Sequence, residues 1–135
     1  MSLNNKTVFL TGAAGGIGAA VAKLLHQQQA NLVLIGRNEA NLNTVNESLG
    51  GKHTVVVADI ATTEGIATVI AAAATGVDML INNAGVNDFG LLPQQKNIAQ
   101  QIAINLTAPM LLCQGLLPQL EEYWLGLWQY WLSWF

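Results

Sequence analysis

One stretch near the amino terminus limits what this chain can fold into: Thr7-Val8-Phe9-Leu10-Thr11-Gly12-Ala13-Ala14-Gly15-Gly16-Ile17-Gly18. A short apolar run breaks at Gly12 and crosses a glycine-rich turn. It then enters Ala19-Ala20-Val21-Ala22-Lys23-Leu24-Leu25, which has the composition and period of a helix. Strand, glycine turn, helix is the setting in which a dinucleotide's pyrophosphate rests on a helix N-terminus, where unpaired N–H groups and the positive end of the helix dipole meet its charge. Glycine suits such a turn because a Cβ would block the bend, the phosphates or the packing of helix on strand. The same turn also serves as a plain strand-to-helix connection, so the rest of the chain has to decide.

The remaining sequence alternates strand and helix. The first helix is expected from Gly16 to about Gln29, with Ala20, Val21, Leu24 and Leu25 inward and His26 a surface residue near its C-terminal end. Asn31-Leu32-Val33-Leu34-Ile35 reads as a second strand ended by Gly36-Arg37-Asn38. Asn38 can cap a helix from Glu39 to Leu49 that stops at Gly50-Gly51. His53 to Ala58 reads as a third strand ending at Asp59-Ile60, and a helix follows from about Thr62 to Gly76. Val77 to Asn82 is the fourth strand, leading to Asn83-Ala84-Gly85. After a polar loop to Pro93, a last helix or pair spans Asn97 to about Leu117, with Pro109 and Pro118 as kink or boundary. Four β-α units with right-handed crossovers predict an α/β fold, a Rossmann-type doubly wound parallel sheet of strand order 3-2-1-4.

Composition narrows the partners. A 52% hydrophobic chain with 10% charged residues suits strands buried on both faces. A formal charge of −3 leaves no basic patch for nucleic acid. The single cysteine, Cys113, excludes an internal disulfide framework and fits a reducing cytoplasm. The start, Met1-Ser2-Leu3-Asn4-Asn5-Lys6, is too short and polar for a signal peptide. No apolar run reaches membrane-spanning length, so no membrane role is expected.

The spacing Thr11-Gly12-x-x-x-Gly16-x-Gly18 does not meet the common G-x-G-x-x-G pattern, since Val21 stands three beyond Gly18. It resembles the short-chain dehydrogenase/reductase family. Later residues support the resemblance in the right order. Asp59-Ile60 matches the family's adenine-contacting acid, Asn82-Asn83-Ala84-Gly85 its Asn-Asn-Ala-Gly motif, and Ile104-Asn105-Leu106 the helix carrying its active-site Asn. The resemblance covers roughly Lys6 to Leu120. It implies a cofactor site made of Thr11, Gly12, Ala14, Gly15, Gly16, Ile17, Gly18, Arg37, Asp59, Ile60, Asn83, Ala84 and Gly85. Gly36 and Arg37 stand at the end of strand two, where an acidic residue would select NAD. A guanidinium there can pair with a 2′-phosphate, which favours NADP. NAD is the alternative, because Ala14 and Gly15 replace the Ser and basic residue of many NADP users and Glu39 is near. Arg37 can also be read as a solvated surface arginine.

The same resemblance shows what is missing. Family members move a hydride between the cofactor and a small carbonyl or alcohol substrate. They use a tyrosine as proton donor, a lysine four residues on, a serine and an asparagine. Asn105 alone stands in its setting. Leu127 follows Tyr123 at the lysine position and Trp134 follows Tyr130, no lysine occurs after Lys96, and Ser133 is the sole serine after Ser48. Residues 1–120 are expected to form the dinucleotide-binding unit, and residues 121–135 a separate aromatic tail. All four tryptophans and both tyrosines fall in that tail, against Phe9 and Phe89 before it. So abrupt a change reads as out-of-frame translation that ends early. Tryptophan favours membrane interfaces, but no Lys or Arg accompanies these. Three functions follow as expectations: an NADP-dependent oxidoreductase, a dinucleotide-binding fragment without catalysis, or a self-associating module driven by the tail and an uncovered sheet edge.

Overall fold

The computed structural model describes residues 2–88 and 91–119. Its strands are β1 (Thr7–Thr11), β2 (Asn31–Gly36), β3 (Thr54–Val57) and β4 (Met79–Ile81), all parallel in the order β3-β2-β1-β4. The doubly wound sheet expected from the sequence is the one observed. The aromatic tail at 121–135 lies outside the described residues.

Each strand alternates its side chains between two apolar layers, as the period of a strand requires. Val8, Leu10, Leu32 and Leu34 face α1 (Gly16–Gln27) and α2 (Glu39–Ser48), where they pack with Ala22, Leu25 and Leu42. Phe9, Val33 and Ile35 face the other way, onto Ile66 and Val69 of α3 (Thr63–Ala72) and Leu112 and Leu116 of α5 (Ala108–Leu116). A fully buried leucine such as Leu112 contributes about 2–5 kcal/mol in packing of this kind. Helices α3 and α5 approach so closely that a Cβ on Gly115 would overlap the Ile70 side chain.

Several boundaries differ from expectation for local reasons. Helix α1 ends at Gln27 because Gln29 turns into the left-handed region (φ +63°) and the Ala30 amide returns to the Leu25 carbonyl. Its inner face is Gly18, Ala22 and Leu25, whereas Ala20 and Leu24 face solvent. The close packing of Gly18 on the Gly12 carbonyl sets that phase. Strand β3 starts at Thr54, since the backbone N–H and C=O of His53 are both engaged by the Asn46 side chain, at 3.0 and 2.9 Å. His26 is no solvated surface residue; its Nδ1 lies 3.0 Å from His53 Nε2. Asn38 does cap α2, accepting from the Asn41 amide at 2.9 Å, and Thr62 caps α3 in the same way.

The last helix is divided. A short α4 (Ile98–Ile102) widens into a π-helical turn, Ala103–Thr107, before α5 resumes with Pro109 in its first turn. Pro118 lies in a closing 3₁₀ turn, Leu117–Gln119. At the amino end of the sheet Asp78 joins β1 to β4, accepting from Lys6 Nζ (2.9 Å) and the Thr7 amide (2.7 Å). Burial pushes this carboxyl up, but these two donors together hold it below the ordinary carboxylate range. Among the described residues no helix is long and apolar enough to cross a membrane.

Candidate functional site

The carboxyl ends of all four strands open onto one cleft of about 330 Å³. It lies where the chain, having added β2 and β3 on one side of β1, crosses to place β4 on the other. Open α/β sheets take their ligands at such a reversal.

Gly12 ends β1 with φ +66°, a conformation that side chains disfavour, and a Cβ there would lie 2.8 Å from the Ala84 Cα. A Cβ on Gly18 would strike the Gly12 carbonyl oxygen. These two glycines let the start of α1 lie directly against the end of β1. Gly16 is different: a Cβ there would meet nothing within 4 Å, yet the residue lines the cleft. Space is therefore kept open on the ligand side. Gly15, at the N-cap, supplies no side-chain cap to the first-turn amides of α1, which a helix leaves without internal partners. Among the described residues the first turn of α1, Gly15 to Gly18, thus lines the cleft without a side-chain cap.

A pair of side chains holds this turn against β4. Thr11 Oγ1 accepts from the amides of Asn83 (3.0 Å) and Ala84 (3.1 Å) and donates to the Ile81 carbonyl (3.4 Å). In return, Asn83 Nδ2 donates to the carbonyls of Thr11 (3.0 Å) and Gly12 (3.2 Å). Thr11 is 1% exposed, so these bonds form away from water and replace hydration that the groups have lost. The preceding Asn82 points inward instead. Its Nδ2 meets Cys113 Sγ at 3.7 Å, and its buried Oδ1 has no partner among the described residues. Burial raises the Cys113 thiol above its ordinary pKa, so it stays protonated.

The other wall comes from β2 and β3. Arg37 lies on the cleft rim directly after β2, exposed and in no ion pair among the described residues. Gly36 precedes it, with Leu42 packed beneath. Asp59 lines the cleft after β3; its Oδ1 accepts from the Ala61 amide at 3.0 Å, which orients the carboxylate, and Ile60 adds an apolar surface. Gly65 allows α3 to begin against the Asp59 backbone, because a Cβ there would overlap the Asp59 carbonyl.

Two residues singled out in the sequence are not brought to this cleft. Ala14 is not among its lining residues; it packs on the α1–α2 side with the apolar layer. Asn105 sits in the π-helical turn behind the wall. Its Oδ1 accepts from the Val86 amide (2.9 Å) and its Nδ2 donates to the Val86 carbonyl (2.7 Å), so both ends of the amide fasten the segment after β4. Val86, Ile35 and Ala58 line the cleft unannounced by any motif, and Ile104 joins them from beside Asn105. For Ile35 and Ala58, apolar character one residue from a strand end is the available signal. Among the described residues no three His, Cys, Asp or Glu side chains are grouped to hold a metal.

Comparison with known proteins agrees with this architecture. The short chain dehydrogenase family model matches residues 6–126. The chain is 33% identical over 114 residues to 3-oxoacyl-[acyl-carrier-protein] reductase FabG of Rickettsia bellii, covering 83% of this chain and 47% of that protein. A short-chain dehydrogenase/reductase (glucose/ribitol dehydrogenase) structure from Brucella melitensis superposes with a TM-score of 0.83 at 32% identity, over 90% of this chain and 54% of that one. L-sorbose reductase from Gluconobacter frateurii, complexed with NADPH and L-sorbose, gives 0.81 at 27% identity, over 88% and 49%. The chain spans about half the length of the curated relatives it matches.

Proposed function

The chain belongs to the short chain dehydrogenase family, and from that premise we propose that its cleft binds a nicotinamide dinucleotide, NADP(H) ahead of NAD(H). The observation that carries the proposal is Arg37, a guanidinium in no ion pair among the described residues, on the rim of a cleft whose floor is a helix N-terminus without a side-chain cap among them. The open space beside Gly16 fits a phosphate approaching the first-turn amides. Asp59 and Ile60 fit an adenine, one by accepting from its amino group and the other by apolar contact. In a member of the family with its proton-transfer groups, the cofactor would supply a hydride to, or take one from, a carbonyl or alcohol carbon. The chain's own part is to hold it: Gly12 and Gly18 shape the turn, Thr11 and Asn83 fix it, and Asn105 keeps the wall after β4 in place. Support for the cofactor also comes from the NADPH-bound relative.

Within these 135 residues the proton-transfer groups of the family, the serine and the Tyr-x-x-x-Lys pair, do not occur. Asn105 commits both amide atoms to Val86. For these 135 residues we therefore assign cofactor binding, with residues 1–120 as the binding unit and 121–135 as a separate tail; the single cysteine fits a cytoplasmic setting. The test is Arg37→Ala. Loss of a charged hydrogen bond to phosphate costs about 1.5–3 kcal/mol, so NADPH affinity falls roughly tenfold or more by calorimetric titration while NADH affinity holds. An unchanged preference contradicts the assignment of Arg37.

A second reading, self-association, rests on exposed Ile98, Ile102, Leu106 and Met110, spaced four apart along α4, the π turn and α5. Exposed apolar residues so arranged favour a covered state. Sedimentation is expected to show a mass above the 14.4 kDa of one chain as concentration rises; a monomer throughout contradicts it.

A further inference from the structure

At the end of the sheet opposite the cleft, His26 near the end of α1 and His53 just before β3 meet with ring centroids 5.1 Å apart and planes at 88°. We propose that this pair is a pH-sensitive latch, which pins α1, β2 and β3 together and opens when the pair takes up a third proton.

The proton positions follow from one backbone contact. The Leu32 amide donates to His53 Nδ1 at 3.2 Å, so that nitrogen carries no hydrogen. A neutral imidazole then carries its proton on Nε2, which donates to His26 Nδ1 at 3.0 Å. His26 in turn keeps its proton on Nε2. The pair therefore holds two protons on four nitrogens, and both remaining nitrogens are acceptors in use. A third proton on His26 Nδ1 sets two N–H groups face to face, and a third proton on His53 Nδ1 displaces the Leu32 amide. Either way one of the two bonds breaks. A metal between the rings is disfavoured by the same logic, because His53 Nε2 would have to shed its proton to Nδ1 and lose Leu32.

Among the described residues the surroundings add no compensating charge. Helix α2 contributes the uncharged Asn46, whose side chain grips the His53 backbone at both its N–H and its C=O. Strand β2 contributes the Leu32 amide, and α1 contributes His26. Glu47 beside Asn46, Lys52 beside His53 and Lys23 one turn before His26 are all exposed. Burial, and then the charge of His26, hold His53 below the ordinary histidine value. For a base with a lowered folded pKa, the unfolded chain binds the proton first as pH falls. Stability is therefore full above about pH 6.5 and declines below it. The strands released at this end are those that carry Arg37 and Asp59 at the other.

The chain has two histidines, so unfolding between pH 7.5 and 5.5 isolates them from the carboxylates. Urea unfolding of the 135-residue chain is expected to show its folding equilibrium constant falling severalfold across that window, up to roughly tenfold, the limit for one imidazole proton fully excluded from the folded state. In His53→Gln the fall shrinks to under twofold. Imidazole ¹⁵N shifts of the unmodified chain at pH 7.5 are expected to show His53 Nδ1 bare and Nε2 protonated, which decides the matter even if the variant fails to fold. A pH-independent equilibrium constant, an undiminished slope in His53→Gln, or a protonated His53 Nδ1 overturns the latch.

Discussion

Gly18→Ala is expected to abolish measurable dinucleotide binding and to destabilise the fold by about 3 kcal/mol, the upper range for overpacking a site that cannot relax. The obstacle is backbone, not a movable side chain: the new Cβ strikes the Gly12 carbonyl oxygen and lies 2.9 Å from Asn83 Nδ2. Helix α1 can escape only by backing away from β1, which moves its first-turn amides off the cleft. Gly16→Ala is the informative contrast. Its Cβ meets no protein atom within 4 Å, and alanine is the better helix former by up to about 1 kcal/mol. Stability should hold or rise slightly while affinity falls, because the methyl occupies space reserved for a phosphate. Thermal unfolding and calorimetric titration of the two variants separate a glycine needed by the fold from one needed by the ligand.

Asn83→Asp should cost about 2–3 kcal/mol of stability and weaken cofactor binding with it. The substitution preserves shape, but a carboxylate cannot donate. It would direct an acceptor at the carbonyls of Thr11 and Gly12, which now receive Nδ2 at 3.0 and 3.2 Å. Buried acceptors left without a donor lose their solvation with nothing in return. Asn83→Ala, which only removes the donor, should cost less. Urea denaturation that places the Asp variant at or above the Ala variant in stability would show that the tie between β1 and β4 is not held by this amide.

Much of this was legible in the chain because the determinants are local. Apolar runs such as Asn31–Gly36, caps such as Asn38 and Thr62, and the alternation of strand and helix lead directly to the sheet order observed. Features that depend on distant partners were not legible. The apolar pattern of α1 places Ala20, Val21, Leu24 and Leu25 inward, yet Leu24 is 63% exposed because Gly18 must seat on the Gly12 carbonyl and so rotates the helix. His26 looked like a dipole-compensating surface residue, while its ring partner lies 27 positions away. A helix was expected across Asn105, but its amide takes both hydrogen bonds of Val86, and the turn around it widens to π geometry. Among the candidate site residues, Gly12, Gly16, Gly18, Arg37 and Asp59 converge because each falls at a strand's carboxyl end or just beyond it. Ala14 does not, since the turn after Gly12 dips into the apolar layer before returning to the cleft at Gly15.

Calorimetric titration of the 135-residue chain with NADPH and with NADH tests the central claim most directly. A cleft built from the N-terminus of α1, an exposed Arg37 on its rim and an oriented Asp59 predicts saturable binding at one site per chain. NADPH should bind roughly tenfold or more tighter than NADH, the value of one charged phosphate contact. No saturable heat with either dinucleotide would contradict the claim that this cleft is a cofactor site.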